Sequence, residues 1–310
     1  MFDTLIVNPI FNALMLLYSI IPGGDFGVAI IIFTIIIRFL MYPLVKRQLH
    51  QTKLMRKLQP ELAKIKKAAK GNKQLEAMQQ MEMYKKFGVK PFRSILILLL
   101  QLPIFIGLYQ VIQIMTLHRE QMVKHIYEPL QGIPAIKTII EDPNNFNHHL
   151  LGFIDITKTT FGDHGVDLVL LSLAVISAVT QYVMSKQTLP TTEKPKKKFR
   201  EIMAEAAAGK ESDPAEMTNM MMNNMIKIMP VLMFFIMVTL PGAIALYYTV
   251  SNLVATAQQS YLLRKDVEEM DELADEVIAK EDRKAKNVQA TKARGKKAKE
   301  AQITRIKAKE

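Results

Sequence analysis

The 310-residue chain contains no cysteine, which excludes a disulfide, a thiol nucleophile and a lipid-modified cysteine and leaves its redox compartment unwritten. Its long apolar runs also lack histidine. All six histidines (His50, His118, His125, His148, His149 and His164) lie between the runs, which disfavours an intramembrane metal site or a histidine proton relay. Within the runs, the first of which begins at about residue 27, after Asp25, there is no glutamate and a single aspartate, Asp167, at one end of its run. A carboxylate pair, a nucleophile with its base and a Walker A pattern are all missing, so neither an enzyme nor a metal or other cofactor is expected. Basic residues are absent from the first 37 positions.

What is present is 49% hydrophobic residues beside 41 Lys and Arg against 29 Asp and Glu, a mixture odd for a soluble protein. Segregation resolves it. The apolar residues gather into runs that suit a hydrocarbon layer of about 30 Å, or about 20 helical residues, and the charges gather between them. The expected class is an all-α membrane protein with five transmembrane helices at 23–47, 93–116, 166–185, 223–240 and 241–264. The last two are separated only by "LPGA", where Pro241 and Gly242 force a tight reversal. Residues 1–22 are apolar but interrupted by Asp3, Asn8, Pro9 and Asn12 and closed by "PGGD"; an interfacial helix is favoured over a sixth span.

The segment 46–93 carries fourteen basic residues against three acids, 116–163 carries four against six, and the chain's end is basic again. The positive-inside rule then sets the N-terminus outside and the C-terminus in the cytoplasm, a parity that five spans satisfy and six do not. In the first cytoplasmic segment, 48–92, Met55, Leu58, Leu62, Ile65 and Ala69 recur at threes and fours until Gly71 and Asn72 interrupt, and Leu75, Met78 and Phe87 resume. This spells a helical hairpin with a narrow apolar seam, with Pro60 beginning or kinking a helix. It is either a solvated hairpin without function or a capture surface, for which Met55, Leu58, Leu62, Met78 and Met81 are the candidates.

Segment 117–165 is an extracytoplasmic loop and 186–222 a cytoplasmic loop of mixed charge. The tail, 265–310, is mostly disordered by composition: seven acids in 266–276 precede eleven basic residues among 281–310. Such an arm suits a polyanion, and ribosomal RNA and anionic lipid fit equally. Methionines crowd "MTNMMMNNMIKIMPVLMFFIM", as adaptable surface for apolar partners or as lipid-facing filler.

One charge has no counterpart. Arg38 sits inside "FTIIIRFLMYPL", where a cation at mid-span costs about 2.5 to 3.5 kcal/mol unless paired or hydrated. Lys46 is eight residues away, about 12 Å along a helix, so snorkelling can be only partial. A hydrated cavity fits better. Thr34 shares the helix face of Arg38, and Gln101, Tyr109, Gln181, Tyr248, Ser251, Asn252 and Gln258 are the other polar residues available to line it, each equally suited to a helix-to-helix hydrogen bond.

The stretches "FTIIIRFLMYPLVKRQ", "MRKLQPELAKIKK", "LLQLPIFIGLYQ" and "IMPVLMFFIMVTLPGAIALYYTVSNLVATAQQ", with "TQYVMSKQTLPTT", resemble the YidC-type membrane protein insertases, the Oxa family, from about residue 5 to 264. The resemblance implies five core helices around a hydrated groove that is open to the cytoplasm and the bilayer and closed outside. By position, Arg38 falls on the family's functional arginine, Thr34 on its groove threonine, and Gln181, Tyr247 and Tyr248 on groove or substrate-contact positions. The 48–90 hairpin matches the family's mobile substrate-receiving hairpin. The implied activity is insertion of nascent membrane proteins into a bacterial cell membrane, with the ribosome, secretion-channel subunits and anionic lipids as further partners. The alternatives are a small-molecule or ion transporter, which would bring internal repeats and titratable groups in its spans, and a scaffold or chaperone of a translocation complex.

Lys90, Pro91, Phe92 and Arg93 replace the Asn-Pro and glycines that relatives commonly carry before the second span, and about twenty extra residues follow Thr192. No stretch corresponds to the large outer domain of some bacterial relatives, to a lipoprotein signal or to an organelle transit peptide.

Overall fold

In the computed structural model the described residues are 1–69, 71–90, 93–116, 118–162, 165–188, 214–265, 275 and 279. The expected cytoplasmic insertion and the basic arm therefore fall outside the described residues. Two compact units form, Met1–Thr52 with Phe92–Arg264, and Lys53–Pro91 with Lys265–Glu310.

The first unit begins with a π-helical turn, Asp3–Val7, that runs into α1 (Asn8–Ile20). A break with two glycines at positive φ leads to α2 (Phe26–Leu40), whose first turn is capped by Asp25 accepting from Val28 N at 2.8 Å. α2 ends at Met41, and α3 (Tyr42–Lys57) leaves at an angle of 54°. Pro43 lies at that bend, where it lacks the N–H that a continuing helix would use. The first span expected over 23–47 is thus broken three residues after Arg38.

The second unit holds the hairpin of α4 (Gln59–Ala68) and α5 (Lys73–Lys86). Pro60 stands in the first turn of α4, Gly71 takes φ +90° in the turn, and Asn72 caps α5 by accepting from Leu75 N at 3.0 Å. Leu54, Met55, Leu58, Met83, Phe87 and Val89 form its buried seam.

Back in the first unit, α6 (Arg93–Thr116) contains Pro103. A cap segment follows, built from α7 (Met122–His125), α8 (Glu128–Gln131), α9 (Pro134–Glu141) and two small hairpins, β1 (His149–Leu150) with β2 (Ile154–Asp155) and β3 (Phe161–Gly162) with β4 (Gly165–Val166). These strands are too short for a period-2 pattern and were not expected from sequence. α10 (Leu168–Thr188), α11 (Pro214–Thr239) and α12 (Gly242–Lys265) complete the bundle, with α10 packed along α11. At the "LPGA" reversal the first N–H groups of α12 are not orphaned: Gly242 N donates to Lys158 O and Ala243 N to Ile156 O, both at 2.7 Å.

The core joins Phe11, Leu14 and Met15 of α1, Phe26, Ile30 and Phe33 of α2, Leu108, Ile112 and Met115 of α6, and Ala243 to Tyr247 of α12 to Met122, Ile136, Phe146 and Ile156 of the cap. Gly107 lets α6 approach the N-terminal turn: a Cβ there would meet Ile6 Cγ2 at 2.6 Å. α1 is fixed to the cap near both its ends. Asn12 donates to His125 O and accepts from Tyr127 N, each at 2.7 Å, Asn8 Oδ1 lies 2.8 Å from His125 Nδ1, and ten residues after Asn8, about 15 Å along the axis, the Tyr18 hydroxyl accepts from Asn147 N at 2.9 Å.

Among the described residues, Asp3–Ile20 and Leu168–Gln187 are each long and apolar enough to cross a membrane, and the bent pair α2 and α3 passes jointly. Leu102–Met115 and Asn224–Thr239 are shorter apolar helices.

Candidate functional site

Arg38 lies on the last turn of α2, half-buried, and reaches α12. Its Nε donates to Ser251 Oγ at 2.7 Å, while Gln258 Nε2 donates to the Arg38 carbonyl at 3.2 Å. No carboxylate pairs with it among the described residues, and its terminal nitrogens have no hydrogen-bond partner there. Tyr247 and Tyr248 stand within electrostatic reach of the guanidinium, with rings 6.0 Å apart, and Phe105 of α6 meets Tyr248 edge-on at 5.8 Å. A cation held by one neutral hydroxyl keeps most of its fork for something else.

The other expected residues divide between this place and the seams around it. Thr34 is on the same face one turn earlier, but it is buried and its hydroxyl donates to Ile30 O at 2.6 Å. Asn252 Nδ2 donates to Ser177 O at 3.2 Å, tying α12 to α10 rather than facing Arg38. Gln181, buried on α10, reaches Ser185 Oγ at 3.4 Å. The side chain of Gln101 lies outside the described residues. Two residues of the α10 and α12 seam went unnoticed in the sequence: Thr249, which donates to Leu173 O at 2.9 Å, and Ser177. The signal was there, since Thr249, Asn252 and Thr256 recur at i, i+3 and i+7 along one face of α12.

Around these bonds are polar atoms that no protein group satisfies. Ser177 Oγ, Thr256 Oγ1 and Gln258 Oε1 are buried without a partner among the described residues. Buried polar atoms are almost always hydrogen-bonded, so orphans on two facing helices mark positions suited to water.

In the hairpin the five capture candidates separate by exposure. Met55, at the end of α3, and Leu58, just before α4, are buried with Met83 and Phe87, and Leu62 packs on them, whereas Met78 and Met81 of α5 are 64% and 52% exposed. Only the latter two offer their surface without opening the hairpin.

One group of described residues has the composition of a metal centre: His148, His149 and Asp155, with ligand atoms within 4.8 Å of one another. Its lone pairs are already engaged. Arg119 Nη2, 3.3 Å from His148 Nδ1, can only donate, so that nitrogen accepts and the neutral ring carries its proton on Nε2, facing Asp155 at 3.7 Å. Thr157 donates twice to Asp155 Oδ1, at 3.0 and 2.6 Å, and Lys158 stands 3.8 Å from the other oxygen. Burial lowers the His148 pKa, while for Asp155 burial pushes the pKa up but the Thr157 bonds and the neighbouring cations outweigh it and leave it lowered. The group staples the β1 and β2 hairpin, and a cation would displace two existing positive charges.

Apolar helices long enough to cross a bilayer, joined by interhelical polar bonds, define an α-helical integral membrane protein. The family model described as 60Kd inner membrane protein matches residues 16–269, and the chain belongs to that family. A protein named membrane protein insertase YidC from Oleidesulfovibrio alaskensis is 27% identical over 262 residues, which are 84% of this chain and 39% of the relative. Proteins of the same name from Shewanella woodyi and Bradyrhizobium diazoefficiens are 30% and 26% identical, over 82% and 84% of this chain and 36% of each relative. The chain thus spans well under half the length of these relatives.

Proposed function

We propose that this chain inserts hydrophobic segments of nascent membrane proteins into the bilayer, using a wet, positively charged groove and no nucleotide hydrolysis. The observation that carries the reading is the Arg38 guanidinium, held at Nε by the Ser251 hydroxyl and unmatched by any carboxylate among the described residues. Had the arginine served only to join helices, an acidic partner or a full set of carbonyl acceptors would be its cheapest arrangement. The orphaned Oε1 of Gln258, whose amide nitrogen donates to the Arg38 carbonyl, supports water in its neighbourhood.

In this reading α2, α6, α10, α11 and α12 are the five spans, with the N-terminus outside and the tail in the cytoplasm. α1 lies in the interface, because a helix bonded to one extramembrane segment at Asn8, Asn12 and Tyr18 has no length left to cross. The cap closes the outer side of the groove, and Arg38 draws acidic residues of the substrate's outer tail partway across. Short apolar stretches such as Asn224–Thr239 favour a thinned bilayer. Burial of the substrate's own apolar segment supplies the drive, at about 0.8 kcal/mol per CH₂. Met78 and Met81 offer the hairpin's docking surface, and the lysine-rich end, 281–310, binds ribosomal RNA or anionic lipid; secretion-channel subunits are further partners.

The test is insertion of a single-span substrate with an acidic outer tail into liposomes holding the purified chain alone. Arg38→Ala is expected to lower insertion about tenfold, the equivalent of one 1.4 kcal/mol charge interaction, and Arg38→Lys to restore much of it. Wild-type insertion by both variants would remove the arginine from the mechanism.

A further inference from the structure

The cap carries an apolar surface that insertion does not require. Phe153 and Leu151, at the turn of the β1 and β2 hairpin, are 73% and 64% exposed, and Phe161 and Val166 of β3 and β4 are 58% and 49% exposed. Side chains of this size face water at a cost of about 1.5 to 3 kcal/mol each relative to burial.

Their placement is specific. Leu151 N donates to Asp25 Oδ2 at 2.6 Å, so the first turn sits against the residue that caps α2. The second hairpin abuts α10: Phe161 pairs directly with Val166, Asp167 N donates to Thr160 O at 2.9 Å, and Asp167 Oδ1 caps the helix by accepting from Val169 N and Leu170 N. Its root is bonded to α12 through Lys158 O and Ile156 O. Two hairpins are thereby clamped at the cap-side ends of three helices. Phe161 and Val166 share one face of their hairpin, as cross-strand partners do, and that face leads into the exposed Leu168 and Val169 at the head of a helix apolar enough to cross the bilayer.

We infer that these two hairpins are lipid-contacting feet, with Phe153 and Phe161 resting in the interfacial layer of the membrane at the cap end of the bundle. The occupant is lipid because the apolar face is continuous with the lipid-facing side of α10, where Val175, Ile176 and Val179 are also exposed. The inference rests on α10 being a membrane span and not on the fate of any substrate.

The chain has no tryptophan, so one introduced indole reports without background. Phe153→Trp and Phe161→Trp would be reconstituted in phosphatidylcholine vesicles containing lipids brominated near the headgroup end of the acyl chains. Val179→Trp serves as the span reporter and Lys137→Trp, on the charged side of α9, as the water reporter. Both Phe variants should lose about half their emission to bromolipid, as Val179→Trp does, while Lys137→Trp responds only to aqueous acrylamide. Quenching of Val179→Trp with hairpin reporters that behave like Lys137→Trp, or that respond to neither quencher, would overturn the feet and leave the span intact. Absence of bromolipid quenching at Val179→Trp would overturn both.

Discussion

The cap end of the bundle and the Arg38 end are built on opposite plans from the same helices. On α2, Phe26 to Phe33 bury their apolar faces, while Ile36, Phe39 and Leu40 are exposed around the arginine. On α6 the buried residues run from Leu108 to Met115, and Leu102 and Ile106 are exposed. α12 begins with five buried residues, Ala243 to Tyr247, then turns polar at Thr249, Ser251 and Asn252. One end is packed shut with the cap's Phe146, Met122 and Ile136, and the other is held by side-chain hydrogen bonds with orphaned atoms between them. The difference teaches that the bundle's stability and its polar chemistry reside in different halves, so that they can be broken separately.

Phe26→Ala should do the most damage at the cap end. It empties a fully buried site against Phe146, ring centroids 5.0 Å apart, and should cost about 3 to 5 kcal/mol of stability in a thermal melt in detergent. Asn12→Ala comes next, at about 2 kcal/mol, since it strands the Tyr127 N–H and the His125 carbonyl that Asn12 now satisfies. Arg38→Met should change stability by under about 1 kcal/mol, or raise it, because an apolar side chain of similar length replaces a partly desolvated charge. The same variant should insert poorly, which would separate the two halves in one protein.

Acid should act weakly on the cap. The pKa of His148 is lowered chiefly by burial and that of Asp155 by its hydrogen bonds and cationic neighbours against the pull of burial. Groups whose folded pKa lies below the unfolded one contribute stability at higher pH and lose it as pH falls, first below the ordinary histidine range and then through the carboxylate range. Their side chains are only 23% and 21% exposed, but a single pair should give no more than a small drop in melting temperature near pH 4, absent in His148→Ala with Asp155→Asn.

Helix positions were legible because the apolar runs and their breakers, "PGGD", "GN" and "LPGA", are local signals. So was the anomaly of Arg38, which needs only the absence of acid. Its partner was not, because Ser251 lies 213 positions away and a serine in an apolar run has several equally good uses. The bend after Arg38 escaped notice since Pro43 at a helix start and Pro43 within a span read alike until the packing is known. The clasp of Asn8 and Asn12 on His125 read only as a weakness in the first apolar run, and the cap hairpins, at two residues per strand, carry no period to detect.

Water at the Arg38 end is what the rest depends on, and the cysteine-free chain allows it to be read directly. Ser251→Cys places a thiol beside the guanidinium, and Ala245→Cys places one in the sealed half of the same helix. A thiol reacts as its thiolate, which forms in water near a cation and not in hydrocarbon. A small, charged, water-soluble thiol reagent added to vesicles should label Ser251→Cys at least about tenfold faster than Ala245→Cys; equal and slow labelling at the two positions would mean that the groove is dry.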